Sequence, residues 1–148
     1  MTTEQRVCAP PDDHERCVMC GFENPRSLGL RFTPDTDGGV TTRWQAQPHL
    51  QGYRGILHGG VVASLLDAAM THCLSLHGVA GLTADLRVRY LAPVPCDARL
   101  DLAARLTASR PPLFRLEAEL MLDGKLLARA EARFLRRRAA AAQRPRPG

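Results

Sequence analysis

One long apolar helix has to cover every strand this chain can form. Residues 61–78, VVASLLDAAMTHCLSLHG, set Val61, Val62, Leu65, Leu66, Ala69, Met70, Cys73 and Leu74 at the 3, 4, 7 spacing of a helical face. Alanines fill much of the remaining circumference, so the helix is predicted to be enclosed around most of its girth. Gly78 suits a left-handed cap at its end. No other segment carries this period.

The flanking segments alternate apolar and polar residues instead. RSLGLRFTP (26–34) and GGVTTRWQAQP (38–48) flank Asp37-Gly38-Gly39 and read as a hairpin. After the helix come LTADLRVRYLAP (82–93), ARLDLAARLTA (98–108), LFRLEAELML (113–122) and, beyond Asp123-Gly124, KLLARAEARFL (125–135). In the first of these, Leu82, Ala84, Leu86, Val88 and Tyr90 are expected on one face. Arginines and glutamates take the opposite face, as in a sheet with one solvated side. An antiparallel sheet with one apolar face must be covered, and only one helix is available to do it. The expected fold is α+β, a curved antiparallel sheet of about six strands around one central helix. Its free edges invite pairing with a second copy.

The 148 residues make one domain, 17–136, with a loose polar arm at 1–16 and an Arg/Ala/Pro tail at 137–148. A formal charge of +5 invites a nucleic-acid reading. Residues 136–148, however, hold Arg136, Arg137, Arg138, Arg144 and Arg146 and no acid, so the remainder is neutral. Neither nucleic acid nor membrane is an expected partner. No run approaches the ~20 apolar residues of a membrane span, and no apolar leader opens the sequence. The cytoplasm is the expected compartment, and the odd count of five cysteines argues for thiols.

Chemistry concentrates in HLQGYRGILHGGVVASLLDAAMTH, residues 49–72. Gly52, Gly55, Gly59 and Gly60 permit tight turns and close approach of a ligand to bare backbone. At a helix N-terminus, unpaired N–H groups and the dipole favour developing negative charge, as acyl transfer requires. The plainer reading is that these glycines shape the turn. Asp67 lies in LLDAAM, the most apolar stretch, where an ionised carboxylate is costly without partners or a task. It suits a general base or a nucleophile; otherwise it marks a solvent-facing strip. Thr71, one turn on, either orients a water for Asp67 or bonds back to its carbonyl. His58 serves as base or as cap, and His72 and His77 carry no catalytic role. Gly-x-Ser-x-Gly, P-loop, His-Glu-x-x-His and Gly-x-Gly-x-x-Gly patterns are absent.

QGYRGILHGGVVASLLDAAM followed by LTADLRVRYLAPVP resembles the PaaI-type hot-dog thioesterases over roughly residues 17–136. The pattern is His58-Gly59-Gly60 at the helix start, Asp67 nine residues after the His, and a strand ending at Pro93-Val94-Pro95. The resemblance implies acyl-CoA thioester hydrolysis, without a cofactor, in a homodimer that can pair into a dimer of dimers. It implies that the Gly59 or Gly60 N–H holds the carbonyl while Asp67 activates water or attacks. Thr71 and Thr83 match assisting positions in two branches. One departure is Gly52, where many relatives carry Asn or Gln; Gln51 beside it is the expected substitute. Arg54 is bulky and charged for this loop. Arg87 and Arg89 border the strand along which CoA is expected and either meet its phosphates or line a solvated face. The rival function is a non-catalytic acyl-CoA-binding or regulatory protein; a hydratase or dehydratase fits less well.

Cys17-Val18-Met19-Cys20-Gly21, with His14 upstream, looks like half a zinc site. No second pair lies nearby in sequence, so the segment reads as a turn on the sheet and no metal is expected.

Overall fold

The computed structural model describes residues 6–138, so the expectation for most of the tail falls outside the described residues. Helix α1 (Gly59–Leu76) lies on a six-stranded antiparallel sheet of order β1-β2-β4-β5-β6-β3. The strands are β1 (Thr33–Pro34), β2 (Val40–Gln45), β3 (Gly81–Tyr90), β4 (Arg99–Arg110), β5 (Leu113–Leu122) and β6 (Lys125–Arg136). The expected curved sheet around one helix is present.

Alternation makes the inner face. Leu100, Leu102 and Ala104 of β4, Phe114, Leu116, Ala118 and Leu120 of β5, and Ala128, Ala130, Ala132 and Phe134 of β6 are all buried. The register sets Ala118 opposite Ala130 and Leu120 opposite Ala128, so small side chains leave room for α1 to sit close. From the helix come Leu65, Leu66, Met70 and Leu74, each fully buried and each stabilising by about 1.5–3 kcal/mol relative to exposure. In length and hydropathy α1 would pass for a membrane span, yet its apolar residues pack on the sheet.

The helix ends follow from local chemistry. His58 is the N-cap, its Nδ1 accepting from the Gly60 N–H at 2.9 Å, which starts the helix two residues earlier than the periodicity suggested. At the other end Gly78 takes φ 78°. Its N–H donates to Ser75 O, the Val79 N–H donates to Leu74 O, and Val79 is buried: a Schellman motif. Asp123 and Gly124 both have positive φ and close the β5–β6 hairpin in two residues, as expected.

Three expectations need correction. Residues 26–32 are not strand, because the Leu28 and Leu30 N–H groups donate to Val18 O and Met19 O of the Cys17–Cys20 loop. The arm is not loose over residues 6–16. Cys8 N–H donates to Phe32 O, Pro11 is buried, and Asp13 pairs with Arg137, which also bonds to Ala80 O and so belongs to the body. The third concerns β3. A bulge between Thr83 and Asp85 resets its alternation, so Leu82 and Ala84 do not share a face with Leu86, Val88 and Tyr90.

The β1–β2 turn is cut close. Gly39 N–H and Asp37 N–H both donate to the Asp35 carboxylate at 2.8 Å. A Cβ on Gly39 would stand 2.5 Å from Ala104 O, backbone of the neighbouring strand. Gly39→Ala is therefore expected to destabilise by about 1–3 kcal/mol through overpacking, read as a lower denaturation midpoint in urea with unchanged m.

Candidate active site

The start of α1 forms one wall of a cavity of about 790 Å³ lined mainly by apolar side chains, a size suited to a small-molecule site. Gly52, Ile56, Leu57, His58, Gly59 and Val62 line one side, and Tyr90 to Val94 the other. The loop before the helix is pinned by Gly52 N–H to Ile56 O, Leu57 N–H to Val94 O and His58 N–H to Leu50 O. These bonds hold residues 58–60 rigidly at the mouth.

The two candidate donors are not equivalent. The Gly60 N–H is taken by His58 Nδ1, while the Gly59 N–H finds no acceptor among the described residues. Gly59 N–H is thus the open donor at the positive end of the helix dipole. Accepting through Nδ1 leaves the His58 ring proton on Nε2, at the cavity wall. Tyr90 was not singled out as a site residue by sequence reasoning. Its hydroxyl donates to Gly59 O at 2.6 Å and its ring packs over Gly59, fixing the donor's peptide. An aromatic residue closing a strand just before Ala92-Pro93 was the only available signal.

Asp67 is half-buried on the same helix, and Thr83 Oγ1 donates to its Oδ1 at 2.6 Å. Burial pushes the Asp67 carboxyl above the ordinary range, and the Thr83 hydrogen bond pulls it partly back. Thr71 Oγ1 donates to Asp67 O at 3.0 Å, the back-bonding alternative, so its proton is not aimed at a water. In a regular strand Thr83 and Tyr90, seven residues apart, would face opposite sides. The bulge at Ala84 supplies the extra residue that turns both toward α1.

Gln51 braces the loop, its Oε1 accepting from Gly55 N–H at 3.0 Å, and it is not among the residues lining the cavity. Gly52 lines the cavity, and a Cβ there would meet the His58 ring at 3.3 Å, so the residue keeps space for that imidazole. Arg54 is exposed and lies outside the cavity lining. Arg87 and Arg89 are exposed on the outer face, Arg87 in a polar cleft with Asp85, Glu117 and Arg133. The fold therefore gathers His58, Gly59, Gly52 and Tyr90 at the cavity, leaves Gly60 outside its lining with its N–H bonded to His58, and sets Asp67, Thr71 and Thr83 about two turns along the helix.

The chain matches the profile of the thioesterase superfamily over residues 54–137, more than half its length, and belongs to that superfamily. It is 42% identical over 78 residues to acyl-coenzyme A thioesterase THEM4 of Bos taurus, a match covering 51% of this chain and 31% of that protein. The chain thus spans about a third of the length of this relative. Among solved structures it superposes on the thioesterase superfamily protein RHA08564 with TM-score 0.77 at 28% identity, covering 82% of this chain and 60% of the other. It shares the fold of the phenylacetic acid degradation protein PaaI of Thermus thermophilus, in a mutant form, with TM-score 0.64 at 21% identity over 72% of this chain and 90% of that one. The architecture is a hot-dog fold.

The state of Asp67 gives a stability prediction with a definite sign. A carboxyl whose folded pKa lies above its unfolded value (~3.9) penalises the fold once both states are ionised, and the penalty vanishes below that unfolded value. Asp67→Asn, which keeps an acceptor for Thr83 and cannot ionise, should raise the melting temperature at pH 7. The gain should shrink steadily as pH falls into the carboxylate range; a gain that grew instead would contradict the burial of this group.

Proposed function

We propose that this protein hydrolyses an acyl-CoA thioester to the free acid and CoA. The observation that carries the reading is the pairing of a free N–H at Gly59, opening onto an apolar cavity, with a desolvated carboxylate on the same helix. Membership of the thioesterase superfamily and the likeness to an acyl-coenzyme A thioesterase support it. The thioester carbonyl accepts from Gly59 N–H at the helix N-terminus, which stabilises the developing oxyanion. Asp67 takes a proton from water as the oxygen attacks the carbonyl carbon. The tetrahedral intermediate then expels the CoA thiolate, which receives that proton. The same carboxylate can instead attack directly and form an anhydride, and single turnover in ¹⁸O-water distinguishes the routes by label in Asp67. Thr83 holds the carboxylate in place.

One protomer does not hold a complete site. Eight residues separate Gly59 from Asp67, about 12 Å along the helix, whereas reacting atoms must approach to about 3.5 Å. Asp67 is also absent from the cavity lining. The partner is a second copy. β3 is a ten-residue strand at the sheet edge, with exposed Leu82 and Tyr90, and edge strands of this kind pair. Antiparallel pairing of β3 with its copy near Leu86–Arg87 sets Thr83 of one protomer toward Tyr90 of the other. That brings the Asp67 end of one helix toward the Gly59 end of its partner, giving two composite sites per dimer. A role for Arg87 and Arg89 in meeting CoA phosphates rests on charge alone, since both lie on the outer face of this strand and outside the cavity lining.

The rival, a protein that binds acyl-CoA without turnover, draws support from Gln51. Its Oε1 is held by the Gly55 N–H, and Gly52 offers no side chain where many relatives carry Asn or Gln. An acyl-CoA panel monitored by released thiol decides between the two. Asp67→Ala should lower turnover by ~100-fold or more with the fold retained; near-wild-type rates would remove Asp67 from the mechanism.

Shared sites predict complementation. Gly59→Pro deletes the open N–H at the first helical position, where proline is tolerated, and His58 already has the extended backbone that proline requires, φ −58° and ψ 135°. Mixed dimers of inactive Asp67→Ala and inactive Gly59→Pro protomers should regain up to about half of wild-type activity, since one of two sites is intact. No recovery from verified heterodimers would refute the composite site.

A further inference from the structure

Away from the cavity, where α1 meets the N-terminal segment, the fold sets a helix histidine beside a short cluster of donor side chains. His14, Cys17 and Cys20 present donor atoms all within 4.8 Å of one another. Cys20 Sγ lies 3.5 Å from His14 Nδ1. Two such donors on one tetrahedral zinc, at about 2.3 Å for sulfur and 2.0–2.1 Å for nitrogen, stand about 3.6 Å apart. The spacing is already that of a coordination shell.

A second imidazole stands beside this cluster on the helix. His72 is 4% exposed, and neither Nδ1 nor Nε2 has a hydrogen-bond partner. A buried imidazole with both nitrogens unsatisfied requires an explanation. Its ring stands edge-on to His14, centroids 6.5 Å apart at 85°, and packs against Phe32 at 4.6 Å. Imidazoles sharing a tetrahedral zinc have centroids about 5–5.5 Å apart, so His72 and His14 stand about 1 Å beyond that separation.

We infer that His14, Cys17, Cys20 and His72 form a Cys₂His₂ site for a thiophilic divalent cation, zinc by its chemistry, which clips the N-terminal segment onto α1. The sequence displays His14, Cys17 and Cys20 close together but not His72. That histidine lies far along the chain and is brought in by the fold. Binding converts two thiols to thiolates and releases two protons to solvent, while both imidazoles donate as neutral ligands. The complex of Zn²⁺, two thiolates and two neutral imidazoles carries no net charge, so it can be buried.

The loop is already built around these residues: Met19 N–H points at Cys17 Sγ, and Arg31 donates to Cys20 O. The metal would tie this loop to a helix that also carries Asp67, five residues before His72 and on another face. Its role is structural and independent of the proposed thioesterase activity.

The test uses the full chain, reduced and stripped with chelator. After incubation with Zn²⁺ and dialysis, elemental analysis should find one zinc per chain, and the melting temperature should rise. Co²⁺ in its place should give the intense visible bands of tetrahedral cobalt with thiolate charge transfer. Cys17→Ser and His14→Ala should each abolish stoichiometric binding. His72→Phe keeps a buried ring and removes both nitrogens, so it should fold, lose at least about tenfold in zinc affinity and lose the cobalt spectrum. No zinc uptake by reduced protein, or uptake unchanged in Cys17→Ser, would overturn the site. A cobalt spectrum unaltered in His72→Phe would overturn the four-ligand assignment. A protein that holds Cys17 and Cys20 as a disulfide, and takes up no zinc once reduced, would overturn it as well.

Discussion

Everything among the described residues depends on α1 being the one element able to cover the inner face of the sheet. Six strands present an apolar surface, and eighteen helical residues must close it. That demand makes the helix apolar around most of its girth. A carboxylate placed on such a helix is necessarily withdrawn from water. Loss of solvation both destabilises the ionised form of Asp67 and raises its affinity for a proton, the property on which its proposed role as a base rests. The same geometry exposes the helix N-terminus at the sheet edge, where an unpaired N–H can face a ligand instead of the core.

The β3 bulge at Ala84 is the second device. A strand has only two faces, and alternation sends residues of odd separation to opposite sides. One extra residue breaks that rule, so that Thr83 reaches Asp67 while Tyr90 reaches Gly59. A single strand thereby braces both chemical ends of the helix. The cap divides the donors in a comparable way. His58 consumes the Gly60 N–H and leaves the Gly59 N–H free, so the aromatic roof of Tyr90 and the imidazole together define one donor direction.

The N-terminal segment illustrates how local hydrogen bonding outranks pattern. Residues 26–32 alternate well enough to read as a strand, and Leu30 and Phe32 are buried accordingly. The Leu28 and Leu30 N–H groups nevertheless go to the Cys17–Cys20 loop, because that loop's carbonyls must also be satisfied. The formal charge of +5 misleads in a similar manner. It is concentrated after residue 135, and Arg137 directs its charge to Asp13.

Much of the architecture was legible from periodicity: the helix, the four strands after it, the Asp123-Gly124 hairpin and the left-handed Gly78 all follow from spacing and backbone preference. His58-Gly59-Gly60 and Asp67 were visible for the same reason, since a glycine-rich helix start and an acid in an apolar stripe are local features. Tyr90's contact, the bond between Gln51 and the Gly55 N–H, and the packing of His72 beside His14 were not. Each depends on which residues meet across the fold. Sequence alone determined which faces had to be buried, because hydrophobic burial follows a period that can be read along the chain. Only the tertiary structure decided which polar atoms find partners, because a hydrogen bond or a metal ligand is set by fine distances between segments that no spacing rule relates.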